Sequence, residues 1–305
     1  MPSGKFEIVP CPPALSRDAL ALAMADLTPE QRRDFAPAVA NDPVEALVVA
    51  LEEGKLCAAA WGQRQPGSTS ILWPPRFASE TTAHIGRQLV EAVVVALDAA
   101  GIRMTQVLVQ EDDSPLAAML RSAGFSRLTE LQYLTWEAAA ATPLESALEF
   151  KPYHDSQRAR LAALVEATYE ATQDCPALGG RRPLDEVIDG YRATGTHRPE
   201  NWLFVHDGSR DVGVLLLTDH EAAQHWELLY MGLIPEARGR QLGRAVVRYA
   251  QALASAAGAE RIVLAVDAEN IPAIKMYSET GFVAWDRREV YVRFADGDAE
   301  LRNPS

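Results

Sequence analysis

Cysteine is scarce: Cys11, Cys57 and Cys175 are the three in 305 residues, and no pair has CxxC or CxxxC spacing. An odd, scattered set gives neither a disulfide framework nor a zinc site and fits a reducing compartment. Positive charge is in deficit, with 29 Lys and Arg against 42 Asp and Glu and a formal net charge of −13. That balance argues against a general affinity for nucleic acid or anionic membranes, so any site for an anionic ligand must be local. Long apolar runs are missing too. "LVEAVVVAL" (Leu89 to Leu97) is among the longest, about half of what a bilayer span requires. The opening "MPSGKFEIVPCPPAL" has no apolar run of signal-peptide length, and the expectation is a soluble, cytoplasmic protein. No metal-ligand cluster, Walker loop or Rossmann fingerprint is present. What remains is ordinary globular composition, 48% hydrophobic and 23% charged, in a chain long enough for two domains.

Two domains are also what the internal similarity predicts. "GRQLVEAVVVALDAAGIRMTQVLVQEDDSPLAAMLRSAGF" (Gly86 to Phe125) aligns without a gap on "GRAVVRYAQALASAAGAERIVLAVDAENIPAIKMYSETGF" (Gly243 to Phe282), with 11 of 40 positions identical. The identities include Gly86/Gly243, Gly101/Gly258, Pro115/Pro272, Met119/Met276 and the closing Gly-Phe pairs. These are helix ends and a helix-opening proline, the punctuation of a fold, and they indicate a tandem duplication.

Each copy reads as a mixed α/β unit. Leu242, Ala245, Val246, Tyr249, Leu253 and Ala256 recur at helical spacing, and Gly258 stands at a C-cap position. "RIVLAVDA" is a β-branched run suited to a buried strand, and Asn270 precedes Ile271-Pro272 as an N-cap. Upstream, "WELLYMGLI" reads as a strand, and "NWLFVHDGSRDVGVLLLTD" as two strands joined by an Asp-Gly turn. The expected division is a first domain over 1–138, a linker over 139–149, a second domain over 150–296 and a loose tail over 297–305.

Between strand and helix in the second copy lies the basic turn "PEARGRQLGRA". A helix N-terminus with free N–H groups and flanking arginines suits a diphosphate, though the turn alone is equally compatible with a solvated basic face. Its companions decide between the two. "RGRQLG" resembles the Q/R-x-x-G-x-G/A loop of the GNAT (Gcn5-related N-acetyltransferase) family, and "DAENIPAIKMYSETGF" resembles that family's N-x-x-A-x-x-x-Y-x-x-x-G-F segment. The likeness covers about residues 150–295 directly and the first half through the repeat, and it implies two tandem GNAT-like domains that use acetyl-CoA without a metal.

The resemblance implies roles residue by residue. The backbone of Met231, Gly232 and Leu233 would pair with the pantetheine arm as an added strand. The amides of Gly239, Arg240, Gln241, Leu242, Gly243 and Arg244 would hold the pyrophosphate, with Arg238 opening the loop. Asn270 would bond the pantetheine region, and Tyr277 would face the thioester sulfur and protonate the departing thiolate. Gln241 stands where the family has glycine; if the loop requires a positive φ there, Gln241→Gly should raise ligand affinity.

For the base, Glu227 resembles the glutamate of the histone acetyltransferase branch. Simple strand alternation would put it on one face with Leu229, Met231 and Leu233, toward the cleft. A strand-end glutamate in solvent is the alternative, and His220 and His225 are nearby substitutes. In the first copy Thr81, His84, Asp113 and Leu120 replace Arg238, Gln241, Asn270 and Tyr277, "WPPRF" puts two prolines in the donor strand, and "EDD" adds negative charge. The expectation is a retained fold without acetyl-CoA chemistry. The segment Ala167 to Val187, with Tyr169, Asp174, Arg181 and Arg182, is either an acceptor wall or an ordinary loop, and Cys175 is not expected to act as a nucleophile. The expected function is direct acetyl transfer from acetyl-CoA to a small-molecule amine in a ternary complex. A non-catalytic acyl-CoA-binding or regulatory protein is the alternative.

Overall fold

The computed structural model describes residues 6–25, 46–79, 84–110, 113–138 and 148–295. The N-terminal repeat runs β1 (Phe6–Pro10), α1 (Ser16–Ala23), β2 (Leu47–Glu52), β3 (Lys55–Gln65), β4 (Thr69–Phe77), α2 (Gly86–Ala99), β5 (Met104–Gln110), α3 (Ser114–Ser122) and β6 (Ser126–Glu137). The C-terminal repeat opens with β7 (Leu148–Pro152), α4 (Arg158–Tyr169) and α5 (Leu184–Ala193). It continues through β8 (Trp202–Asp207), β9 (Arg210–His220), β10 (His225–Leu233), α6 (Leu242–Ala256), β11 (Arg261–Asp267), α7 (Ile271–Glu279) and β12 (Val283–Phe294). The mixed α/β class expected from the sequence is the class observed.

The shared punctuation of the repeat has matching physical duties. Gly101 and Gly258 end α2 and α6 at φ +77° and +81°, and Gly124 and Gly281 end α3 and α7 at +85° and +92°, where a Cβ is disfavoured. Asp113 and Asn270 both cap, accepting from Leu116 N–H at 3.1 Å and Ala273 N–H at 3.3 Å, each with proline in the first turn. A Cβ on Gly86 would lie 2.6 Å from Met119, and one on Gly243 would lie 2.7 Å from Met276. The conserved spacing of glycine and methionine is therefore a helix–helix contact.

The chain forms two compact units, one comprising residues up to Leu128 with the strand from Glu289, the other Thr129–Arg288. In the first unit the strand order is β1-β2-β3-β4-β5-β12, and β2 alternates its residues between two apolar layers. Leu47 and Val49 join a cluster with α1, while Val48 and Ala50 join one with α2. In the second unit the order is β6-β11-β10-β9-β8-β7. Its core includes Trp202, Phe204, Leu215, Leu217 and Val246, each large side chain contributing about 1.5–3 kcal/mol by burial. Ala256, expected on the apolar stripe of α6, is exposed; the buried stripe is Val246, Val247, Ala250, Gln251 and Ala254.

Each unit thus takes its terminal strand from the other half of the sequence. β6 pairs antiparallel with β11 along seven residues, from Arg261↔Glu137 to Asp267↔Leu131. Of the expected linker, residues 139–147 lie outside the described residues, as does the expected tail, while Leu148 and Glu149 open β7.

Candidate active site

The site in the second unit begins with a strand that parts from its neighbour. β10 pairs with β11 in parallel only at His225, Trp226 and Glu227. Its antiparallel ladder with β9 continues to Leu233, with a bulge between Leu228 and Tyr230. Beyond Glu227 the two strands diverge around a cavity of about 210 Å³, lined by Leu228 to Leu233 on one side and by Ala265, Val266, Asn270 and Tyr277 on the other. Ile234 N–H donates to Val212 O at 3.0 Å, so by strand alternation the peptide groups of Leu233 and Met231 point away from β9 and into the opening. That edge can accept an extended amide chain as an additional strand. Gly213 permits the geometry, since a Cβ there would lie 2.3 Å from Gly232 O.

The bulge corrects one expectation. With Glu227 opposite Thr218 and Tyr230 opposite Leu216, the strand's parity flips, and Glu227 shares its face with Tyr230 and Gly232 rather than with Met231 and Leu233. Glu227 is outside the cavity lining and pairs with His220, Nε2 to Oε2 at 2.8 Å. His220 stacks on His225 with centroids 4.7 Å apart, and burial, helped by the His220 charge, lowers the His225 pKa.

A second cavity, of about 380 Å³, shares Met231, Leu233, Arg238, Asn270, Pro272 and Ala273 with the first and ends at the N-terminus of α6. Its lining includes Gly239, Gln241, Leu242, Gly243 and Arg244, and also Lys275. Gly239 and Gln241 both adopt left-handed backbone, at φ +71° and +60°. The loop therefore does demand a positive φ at Gln241, a strain of about 1–2 kcal/mol for a residue with a side chain. Gln241 makes no side-chain cap bond to α6, which leaves the first-turn amides to whatever enters the cavity.

The arginines divide their labour differently from the expectation. Arg238 donates to three carbonyls, Leu233 O at 3.0 Å, Ala171 O at 3.0 Å and Thr168 O at 2.8 Å. It is a strut between the end of β10 and the end of α4, where its charge also complements the helix dipole. Arg240 points to Asp207 at 2.8 Å and lines neither cavity. Arg244 remains at the cavity and pairs with Glu279.

Tyr277 is 6% exposed, and its hydroxyl has no hydrogen-bond partner among the described residues. Burial raises its pKa well above the ordinary phenol value, the Asp174 charge adding to the effect. It stays protonated and able to donate. Tyr230, also raised by burial, is fixed by Thr168 at 2.7 Å. Because Thr168 donates to Val165 O at 2.6 Å, the Tyr230 hydroxyl is the donor in that pair. Thr168, Tyr230 and Lys275 escaped the sequence reading; the first two are brought together by a contact spanning 62 residues, and no local spacing marks such a pair.

The segment after α4 closes the cavity with Ala171, Thr172, Gln173 and Asp174. It is stapled to β11 by reciprocal bonds: Asp267 N–H donates to Asp174 Oδ1 at 3.1 Å, and Cys175 N–H to Asp267 Oδ2 at 2.9 Å. Ala171 and Cys175 bracket it at φ +50° and +44°. Loss of water among these walls raises the Asp174 pKa, with the Asp267 carboxylate adding to it. Cys175 is raised by burial and by both carboxylates, which makes it a poor thiolate source.

The first unit repeats the frame with different residues in it. β4 pairs with β5 only at Thr69, Ser70 and Ile71, so the strands part there too. Pro74 and Pro75 fall at the positions of Met231 and Gly232 and sit in an irregularity opposite Ala59 and Trp61; the strand runs on to Phe77 instead of ending. Proline at 74 has no N–H to offer the opening. Leu120, fully buried, stands for Tyr277. Thr81, Glu111 and Asp112 lie outside the described residues.

Among the described residues no helix is long and apolar enough to cross a membrane, and no group of three or more His, Cys, Asp or Glu is placed to hold a metal ion. The model of the acetyltransferase (GNAT) family matches residues 165–282. The chain is 26% identical over 272 residues to a mycothiol acetyltransferase of Thermobifida fusca (strain YX), covering 79% of this chain and 80% of the relative. It is 24% identical over 266 residues to that of Arthrobacter sp. (strain FB24), covering 74% and 82%. A GCN5-related N-acetyltransferase from Sphaerobacter thermophilus shares the fold with TM-score 0.68 over 98% of both chains at 14% identity. A tandem GNAT protein from the clavulanic acid biosynthesis pathway does so with TM-score 0.56 over 97% of this chain and 100% of that one, also at 14%. The parted strands, the left-handed loop at the start of α6 and these likenesses agree: residues 165–282 match the acetyltransferase (GNAT) family, and the chain has the fold of a tandem GNAT protein.

Proposed function

We propose that the second unit binds acetyl-CoA in the two joined cavities and transfers the acetyl group to the amine of a small molecule by direct attack in a ternary complex. The observation that carries this reading is the wedge between β10 and β11, with an unpartnered, buried tyrosine at one end and a left-handed loop opening a helix at the other. When bound, acetyl-CoA supplies an activated thioester carbonyl. The inward peptide edge of Met231 and Leu233 aligns the pantetheine amides, and the first-turn amides of α6 with Gly239 and Gln241 hold the pyrophosphate. Arg238 keeps that edge in place, and Arg244 and Lys275 add positive charge at the cradle.

A free N–H on the β10 edge donates to the carbonyl oxygen as negative charge gathers there. The amine nitrogen forms its bond to the acetyl carbon, the carbon–sulfur bond breaks, Tyr277 gives its proton to the thiolate, and the second proton that the nitrogen sheds on becoming an amide restores the phenol. An alkylamine with a pKa of about 10.4 must first lose a proton. Glu227, on the Tyr230 face and joined to His220, takes that proton through intervening water. The relatives named mycothiol acetyltransferase favour a small-molecule acceptor over a protein, and the first unit contributes fold without turnover.

The test is acetyl-CoA consumption against a panel of primary amines, with wild type and Tyr277→Phe. The expected result is turnover in wild type and a fall of about 10²–10³-fold in kcat for the variant with acetyl-CoA binding kept. Binding without consumption of any amine would support the non-catalytic alternative, and failure to bind acetyl-CoA would remove the reading altogether.

A further inference from the structure

The cavity that holds Tyr277 has an acidic wall that the transfer chemistry above does not use. Asp174 lines it, with Asp267 immediately behind, and neither carboxylate forms an ion pair with a Lys, Arg or His among the described residues. The cation that shares this lining, Arg238, is committed to three backbone carbonyls. The aromatic part of the wall is Tyr230 and Tyr277. Tyr191 stacks behind Tyr230 with centroids 5.7 Å apart, and Tyr169 meets Tyr230 edge-on at 5.9 Å. The segment carrying Asp174 is held by two left-handed residues and by the staple to β11. Such strain persists only where the surroundings impose it, and here it presents one carboxylate to the cavity.

We infer that Asp174 selects the acceptor by its positive charge, so that the enzyme takes small amines that enter the cavity as ammonium ions. The inference rests on the acetyl-transfer reading and names the acceptor side of the same site. Asp174 supplies the counter-charge, and Tyr230 and Tyr277, which share its lining, add the attraction of aromatic rings for a desolvated cation. Asp174 is thus a specificity-determining residue; the proton still leaves by way of Glu227 and the thiolate is still protonated by Tyr277. Neutral molecules of the same shape are disfavoured because Asp174, bonded only to Asp267 N–H and the Asn270 side chain among the described residues, would keep its charge without a counter-ion in a confined space.

Choline and its neutral isostere 3,3-dimethylbutan-1-ol test the charge without being amine acceptors. In wild type, choline is expected to compete with a primary amine at least tenfold more strongly than the isostere. In Asp174→Asn, which keeps an acceptor for Asp267 N–H, that ratio should fall to near one. The amine KM should rise tenfold or more, with the acetyl-CoA KM within twofold and kcat within about threefold. Asp174→Glu should restore part of the ratio. A wild-type ratio near one, or an unchanged ratio in Asp174→Asn, overturns the inference while amine acetylation stands. Selective choline binding by a wild type that acetylates no amine overturns the transfer reading and leaves the charge-selective wall. The wild-type ratio needs no variant, so a variant that fails to fold does not shelter the idea.

Discussion

Gln241 holds a backbone conformation that glycine adopts without strain, at φ +60°. Gln241→Gly should stabilise the protein by about 0.5–1 kcal/mol, the relief of strain being partly offset by a more flexible unfolded chain. Acetyl-CoA affinity should rise with it; a fall would mean that the glutamine side chain itself holds the ligand. Denaturant midpoints and calorimetric titration read the two effects. Tyr277 makes a pH prediction. A proton donor works while protonated, and burial raises this phenol, so the alkaline limb of kcat moves to higher pH rather than lower. No Tyr277-dependent fall in kcat is expected below pH of about 10. An alkaline fall centred at pH 8–9 that vanishes in Tyr277→Phe would contradict it. The sequence disclosed both residues because their motif neighbours, Gly243 and Asn270, stand at fixed distances. It did not disclose that Arg238 is a strut, since its carbonyl partners on Thr168 and Ala171 lie 70 and 67 positions away.

At the scale of elements, α6 and α7 meet where Gly243 faces Met276. Gly243→Ala should destabilise by about 1 kcal/mol, near the low end of overpacking costs because a flexible thioether can yield. Met276→Ala in the same chain should recover part of the loss, as thermal melts would register. α4 is tied to β9 by Arg160, which grips Asp211 at 2.7 and 2.8 Å and lies over the Phe204 ring at 4.1 Å. The Arg160 guanidinium holds the Asp211 pKa below the usual carboxylate range. A lowered folded pKa stabilises above the unfolded value of about 3.9 and loses that contribution as pH falls through the folded value. Asp211→Asn should therefore cost about 1 kcal/mol at pH 7, discounted for partial exposure, with wild type and variant converging in acid. The bulge in β10 was not legible: "ELLYMGL" is apolar on both faces, so no alternation records where the parity changes. That one irregularity moved Glu227 to the opposite face from the one expected.

For the whole molecule, the duplication was plain in the sequence because glycine, proline and methionine recur at one fixed offset. The exchange of terminal strands was not, because a strand's own residues do not name its ladder partner. Its effect on dissection is testable. Residues 150–305 expressed alone would leave β11 without its seven-residue partner, and an unpaired strand edge promotes aggregation. The fragment should be insoluble or poorly folded by circular dichroism, and co-expression with residues 1–149 should rescue it. A soluble, active fragment would show that β6 is dispensable.

The exchanged strands also set an order of events during synthesis. Most of the first unit leaves the ribosome early, yet its sheet ends on the part of β12 from Glu289 onward. Domains usually complete themselves in the order in which they are made. Here the earlier half must wait, with the edge of β5 open, until the codons for β12 have been read. The first unit is therefore the later to close, and a ribosome that stops before Glu289 releases a chain whose second unit has its strands while its first does not.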